Sequence, residues 1–327
     1  MTELRLGTRG SQLALWQART VAARIEEAGG PPCRLVIIKT SGDRLQDAPL
    51  SEIGGKRLFV KEIEDALVRD EIDLAVHSSK DMPAQLVDGL EVAAVLPRED
   101  PLDAVVLPAS KAAGRTLDSM ASLVSVIGQT PTFGTGSVRR VAQLKRLFPL
   151  AKFEPIRGNL DTRLRKLDEG RHDALVLAAA GLRRLGFGER ISFALPVEGC
   201  VPAPGQGIVA VEIRGNDSAT RAAVARIDDP AAAAALIAER ELVAALGGGC
   251  QTPIGALATM VEGDALELVT AVIALDGTRV IRATARGPRA DAKAVGAKAA
   301  GDLLAAGAGE ILADARRAQA AVDGLQP

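Results

Sequence analysis

The sequence predicts an α/β protein made of two βαβ sets followed by a separate α+β unit. Three observations predict it. Across the first two thirds of the chain, short apolar runs alternate with amphipathic helical patterns, the signature of βαβ units and a mostly parallel sheet. A strand-to-helix turn in the first set, Gly7-Thr8-Arg9-Gly10-Ser11, is faintly echoed in the second by Gly134-Thr135-Gly136-Ser137, a short likeness that two similar halves with a cleft between them would explain. From about Ala222 the texture changes to Ala-rich helical stretches around strand-like runs that read as antiparallel.

The elements follow in order. Residues 4–7 read as a strand, and Ser11 is placed to cap the next helix, which carries Leu15, Ala18, Ala22 and Ile25 on one face. A strand at 35–38, a helix at 58–68 and a strand at 74–76 complete the first set. Residues 97–108, with three prolines and mixed charges, read as a crossover. In the second set, 132–135 leads into a helix at 138–147, 153–156 into a helix at 160–167, and 174–177 into a short helix. Residues 200–207 are a second punctuated segment, and the strand at 208–213 is expected to return to the first sheet. An Ala-rich helix is predicted from Ala222 to Leu246, then a Gly-rich loop, strands at 256–258, 266–275 and 280–285, and a helix at 291–306.

Composition excludes several functions. The chain has 327 residues, room for two or three domains of roughly 100–150 residues each. Hydrophobic residues at 47% and charged residues at 25% allow large cores without disulfides. Aromatics are 2%, with no Tyr, which argues against base-stacking platforms for nucleic acid. A net charge of −1 gives no general attraction to nucleic acid or to an anionic membrane. The longest bland apolar run, 231–238, is far shorter than the ~20 residues of a membrane span. A strand starting at Leu4 leaves no room for a targeting segment, so a cytoplasmic protein is expected. Cys33, Cys200 and Cys250 are far apart and odd in number, which suggests neither a disulfide framework nor a Cys-x-x-Cys metal site. With only His77 and His172, no metal is expected, and Cys–His or Ser–His–Asp catalysis is disfavoured.

The basic residues number 30 Arg against 10 Lys. Arg-rich codon usage and carboxylate recognition by the planar Arg fork both account for that, and position decides between them. In an open parallel sheet, ligands bind beyond the carboxyl ends of the strands, where helix N-termini attract anions. Arg9 and Ser11 fall at the first such turn, and Lys80 and Asp81 follow the strand at 74–76. Thr135, Ser137, Arg139 and Arg140 fall at the Gly134 turn. Arg157 and Arg163 follow the strand at 153–156, and Arg183 and Arg184 the strand ending at Leu177. Any one of these Arg residues, taken alone, reads more readily as part of a solvated helix face. As a set they imply an anion with several carboxylates or phosphates. No Gly-x-x-x-x-Gly-Lys-Ser/Thr occurs, which disfavours a nucleotide. Asp81 beside Lys80 reads as a surface pair in a turn, or as a carboxylate that holds a proton and stabilises a developing cation. Cys250 follows three glycines, which leave a thiol exposed, although a lone Cys is more often inert. Cys33 and Cys200 read as packing residues.

These motifs converge. Residues 6–18, Leu-Gly-Thr-Arg-Gly-Ser-Gln-Leu-Ala-Leu-Trp-Gln-Ala, resemble the opening of the porphobilinogen deaminase (hydroxymethylbilane synthase) family. So, in order, do Gly54-Gly55-Lys56-Arg57-Leu58-Phe59, Val76-His77-Ser78-Ser79-Lys80-Asp81-Met82-Pro83, Gly134-Thr135-Gly136-Ser137-Val138-Arg139-Arg140, Arg157-Gly158-Asn159, Thr162-Arg163-Leu164, Pro202-Ala203-Pro204-Gly205-Gln206-Gly207 and Gly248-Gly249-Cys250-Gln251-Thr252-Pro253-Ile254-Gly255. The likeness covers nearly the whole chain. Glu52 stands where the family often carries a further lid Lys, Gly136 where Ser is frequent, and Ile208 where Ala is frequent.

The resemblance implies two doubly wound βαβ domains like those of type II periplasmic binding proteins, plus a small α+β C-terminal domain with an antiparallel sheet. The implied domains are 1–104 with 206–223, 105–205, and 224–327. It implies a dipyrromethane cofactor joined by a thioether to Cys250. It further implies a transferase that condenses four porphobilinogen molecules head to tail on that primer, with loss of ammonia, and then releases hydroxymethylbilane by hydrolysis. Asp81 would be catalytic, serving the azafulvenium cation left when ammonia departs. Arg9, Arg139, Arg140, Arg157, Arg163 and Arg184 would bind the acetates and propionates, assisted by Ser11, Ser78, Lys80, Thr135 and Ser137. Phe59 would pack near the incoming ring, and Lys56 would belong to a lid loop. The partner would be porphobilinogen alone, with no nucleic acid and no membrane, and the enzyme a cytoplasmic monomer. Two other readings stay open on the residues themselves: a non-catalytic anion binder with the same two-lobed fold, and a cysteine acyl-transfer enzyme.

Overall fold

The computed structural model describes residues 3–44, 60–112, 117–249 and 251–323, without the side chains of 43–44 and 321–323. Three sheets organise them. The first has five strands in the order Cys33–Ile37, Leu4–Thr8, Leu74–Ser78, Val209–Arg214 and Leu90–Val95. The first three run parallel, with Leu6 opposite both Leu35 and Leu74. Val209–Arg214 lies antiparallel between two neighbours, with Val211 opposite Val76 and Ala94. The chain therefore does return to the first sheet after its excursion, and the sheet is mixed. Five of that strand's six residues are buried, as expected of a strand covered on both faces.

The second sheet has the order Lys152–Glu154, Thr132–Gly134, Ala174–Ala178, Asp103–Val106 and Phe193–Ala194. Its first three strands are parallel, and Asp103–Val106 is antiparallel to both neighbours. The segment at 97–108, expected as a plain crossover, thus contains a wholly buried strand. Four residues between prolines are too few to show a periodic signal. The passage from the first sheet to the second comes before Asp103, two residues ahead of the division expected at 104.

Helices cover both sheets. Gln12–Glu27 buries Ala14, Gln17, Ala18, Val21, Ala22 and Ile25, and Leu15 is half-buried at the edge of that face. Ser11 Oγ accepts from the Ala14 backbone N–H at 3.3 Å, satisfying one free N–H of the first turn. Ser137 Oγ does the same for Arg140 N–H at 3.4 Å and starts the helix Val138–Leu147. In the last unit, Ile254–Val261, Ala265–Ile273 and Val280–Pro288 form an antiparallel sheet packed against Pro230–Ala245 and Ala292–Ala305, with Ala308–Asp323 added at the end. The single helix expected over 222–246 is divided. Ser218–Val224 ends first, and a new helix starts at Pro230 with Asp229 as its cap. Proline is tolerated in a first turn but not in a helix interior, so Pro230 sets the break.

The two crossovers between the sheets touch one another. Gly207 has φ +87°, and a Cβ there would lie 2.2 Å from the Glu99 carbonyl oxygen. The Glu99 N–H donates to the Gly207 carbonyl at 3.0 Å. The cleft opens beside this double connection.

Candidate active site

The first sheet presents its side of the cleft through two strand ends. After Leu4–Thr8 the chain turns through Arg9 and Ser11. After Leu74–Ser78 a single 3-10 turn, Ser79–Asp81, brings Lys80 and Asp81 round the strand end. The second sheet answers with Arg140 at the start of Val138–Leu147, Arg157 and Arg163 around the start of Leu160–Asp168, and Arg184 at the end of Ala179–Arg184. All of these, with Ser11 and Ser78, line one cavity of about 310 Å³ between the sheets. Among the described residues, six cations (Arg9, Lys80, Arg140, Arg157, Arg163 and Arg184) meet two carboxylates there, Asp81 and Asp161.

Burial makes this cluster costly without an anion. The Arg163 guanidinium is pushed down to about 10, first by burial and then by Arg140 and Arg157, with Asp81 opposing. Burial likewise pushes Arg184 down to about 10. Arg184 lies over the Trp16 ring at 5.5 Å and donates to the Gly207 carbonyl at 2.7 Å. Lys80 falls to about 8 through burial and the nearby Arg140, against the pull of Asp81 and Asp103. Arg157 is lowered by burial, and its Nη2 is buried with no hydrogen-bond partner among the described residues. Crowded, desolvated guanidinium groups of this kind are stabilised by planar, doubly accepting anions.

Arg139 stands apart from this cavity. Its guanidinium is buried and donates to Asp103 Oδ2 at 2.6 Å and to the Val201 carbonyl at 2.8 Å. Arg140 also turns to Asp103, with Nε donating to Oδ1 at 2.8 Å. Burial alone would raise the Asp103 carboxyl, but Arg139 and Arg140 hold it far below the usual carboxylate range. The Cys200 thiol, buried beside Asp103, is pushed up to about 12 and stays protonated. Thr135 is buried under the Gly134 turn, where its Oγ1 accepts from the Ser137 N–H at 3.4 Å.

Ser137 and Arg139 border a second, smaller cavity of about 80 Å³, together with Lys80, Gly249 and Thr252. Lys80 lines both cavities, so the cationic cleft reaches the Gly-rich loop at that residue. Cys250, Lys56 and Phe59 lie outside the described residues.

Sequence reasoning missed Asp103 and Gln206. Asp103 was hidden inside the crossover, although a carboxylate opening the apolar run Asp-Ala-Val-Val is itself a sign of a buried partner. Gln206 belongs to a motif that was read as backbone punctuation and as part of the family likeness, with no role given to its side chain.

Two family models match the chain: "Porphobilinogen deaminase, dipyromethane cofactor binding domain" over residues 4–222, and "Porphobilinogen deaminase, C-terminal domain" over residues 233–305. Among curated relatives named porphobilinogen deaminase, that of Moorella thermoacetica is 47% identical over 317 residues, covering 97% of each chain. That of Geobacter metallireducens is 45% identical over 313 residues, covering 95% of this chain and 94% of the relative. Among solved structures, the periplasmic VFT2 domain of Bordetella pertussis BvgS (double mutant) shares 13% identity at a TM-score of 0.39, covering 69% of this chain and 86% of that one. An amino acid ABC transporter substrate-binding protein from Streptococcus pneumoniae shares 14% at 0.37, with the same coverages. At such scores these structural likenesses decide nothing. The family matches span both parts of the chain and the relatives match it almost end to end, so the chain belongs to the porphobilinogen deaminase family, transferases of tetrapyrrole synthesis that condense porphobilinogen with loss of ammonia.

Proposed function

We propose that the cleft between the two sheets binds porphobilinogen and the growing oligopyrrole, and that Asp81 serves the carbon–nitrogen bond that breaks. The observation that supports this most is the cavity itself: among the described residues, six cations gathered from both sheets around a turn bearing Asp81. Each porphobilinogen ring carries an acetate and a propionate, so a substrate chain brings two carboxylates per ring to such a surface. The same donor set fits a dipyrromethane group, whose acid side chains are of the same kind, and the buried Arg157 Nη2, without a partner among the described residues, supports that fit. Dipyrromethane, when bound, supplies the free pyrrole α-carbon to which the first substrate ring is joined.

The residue roles follow from placement. Asp81 stabilises the positive charge left on the substrate when its aminomethyl nitrogen departs as ammonia, and it accepts the proton released on carbon–carbon bond formation. Arg9, Arg157, Arg163 and Arg184 hold carboxylates bidentately, and Arg140 adds its outer face to them. Ser11 and Ser78 donate hydroxyls to the same anions. Ser137 and Arg139 border the smaller cavity, on the side of Gly249, and Thr135 supports their turn. Cys250, one residue beyond Gly249, is the proposed thioether anchor. Lys56 and Phe59 are assigned to the lid over the incoming ring.

Three domains, 1–104 with 206–223, 105–205, and 224–327, are the proposed division, supported by the return of Val209–Arg214 to the first sheet and with the first boundary drawn back to just before the second-sheet strand at Asp103. A cytoplasmic monomer that binds neither nucleic acid nor membrane is the accompanying reading. Among the described residues no helix is long and apolar enough to cross a membrane. The test is direct. Incubated with porphobilinogen, the purified protein should consume it with release of one ammonia per molecule. Binding without ammonia release would instead mark a non-catalytic anion receptor.

A further inference from the structure

We infer that Gln206 is a positioning residue: its amide, lodged where the two crossovers meet, holds Lys80 of the first sheet and Arg140 of the second on one shared oxygen, tying the closed cleft to the placement of its cations. This rests on the reading of the cleft as the porphobilinogen site.

Gln206 is fully buried. Its Nε2 donates to the Pro101 carbonyl at 2.6 Å and to Asp103 Oδ1 at 3.0 Å. Both of those oxygens can only accept, so the orientation of the amide is fixed by chemistry. Oε1 must then face the other way, where Lys80 Nζ and Arg140 Nη2 each lie 3.4 Å from it. One oxygen serves two charged donors, which accounts for both contacts being long. Its backbone is held in place as well. Gly205 and Gly207 flank it at φ +74° and +87°, and neither has room for a Cβ beside Ser79 or Glu99.

The placement joins pieces that otherwise belong to different units. Lys80 comes from the first sheet, Arg140 and Asp103 from the second, Pro101 from the outgoing connection and Gln206 from the returning one. If the units part, the shared oxygen cannot reach both cations. When they close, the oxygen's partial negative charge offsets the repulsion between Lys80 and Arg140. Around the Lys80 ammonium stand Arg140 and Arg139 as like charges, Asp81 and Asp103 as opposite ones, and Arg240 across the smaller cavity. With its proton already loosened to about 8, Lys80 responds to the loss of a single acceptor.

The test reads Lys80 itself. Holoprotein labelled with 13Cε-lysine is titrated by NMR from pH 6 to 10, and the Lys80 signal is identified by its absence in Lys80→Arg. Gln206→Leu removes the acceptor, so the charged form loses support and the midpoint falls by about half a unit or more. Gln206→Glu keeps an oxygen toward the cations and adds negative charge, so the midpoint rises. The basic limb of kcat/KM for porphobilinogen moves in the same two directions. Shifts of opposite sign establish the role, and if one variant folds poorly, the Lys80 midpoint in the other, moving in its stated direction or staying put, decides the test. A purely structural residue would lower the melting temperature in both variants and leave the Lys80 midpoint where it was. That outcome in an active protein overturns the inference. Failure of the wild-type protein to release ammonia defeats the functional reading instead, and the NMR shifts report independently of it.

Discussion

Replacing Asp103 with Asn tests the electrostatic frame beneath the cleft. Asp103 has no exposed surface and receives four hydrogen bonds from two guanidinium groups and the Gln206 amide: 2.6 and 3.2 Å from Arg139, 2.8 Å from Arg140 and 3.0 Å from Gln206. Asp103→Asn keeps the shape and removes the charge. Two buried Arg side chains are left without a counter-ion, and one polar edge of the new amide faces donors with another donor. Breaking a buried pair by removing one partner costs about 3–5 kcal/mol. With a urea m-value of about 2 kcal/mol/M, the midpoint of the second unit falls by about 2 M. The pH dependence has a definite sign. A carboxyl depressed in the folded state contributes stability that is fully present above its unfolded value, about 3.9, and lost only as pH falls toward the folded one. The carboxyl's own contribution to the gap between wild type and variant is therefore constant above about pH 5, and because Asp103 also holds up Lys80, which titrates at about 8, the gap should narrow as pH rises through that value in urea titrations followed by circular dichroism. A loss under about 1 kcal/mol, or a gap that shrinks steadily as pH falls from 9 to 6, would refute the reasoning.

Two further substitutions bear on the site. Asp81→Asn should reduce ammonia release by at least ~100-fold, the scale of a lost general acid–base group, while the intact mass still shows the attached primer. Near-normal turnover in that variant contradicts the role given to Asp81. Gly207→Ala must place a methyl group 2.2 Å from the Glu99 carbonyl at a φ of +87°, so scanning calorimetry should show a loss of about 2 kcal/mol or more. An unchanged melting temperature would mean that the two connections are not packed as described.

Much of this fold was legible because periodic signals were long. Val138–Leu147 and Gln12–Glu27 carry apolar faces over several turns and begin at Ser caps that the sequence displays. The cationic side of the cleft was legible for a topological reason, since strand ends in α/β sheets face one way and Arg9, Lys80, Arg157, Arg163 and Arg184 each follow a strand. What escaped was non-local. Asp103–Val106 is four residues long and becomes a strand only through neighbours about 70 and 90 residues away in the chain. Leu90–Val95 and Ala308–Asp323 went unread as well. The Asp103 pairing with Arg139 was invisible because no local pattern marks which of several strand-end Arg residues turns inward. The division at Pro230 was legible in principle, since proline after an Asp is a helix start, but the surrounding alanines concealed it.

Intact mass spectrometry of the purified holoprotein, beside Cys250→Ser, addresses the central claim most directly. The wild-type polypeptide is expected to carry the mass of two linked pyrrole units and to gain further mass in steps of one ring when porphobilinogen is added, and Cys250→Ser to show neither. A wild-type preparation that shows only bare polypeptide and yet condenses porphobilinogen at a normal rate would contradict that claim.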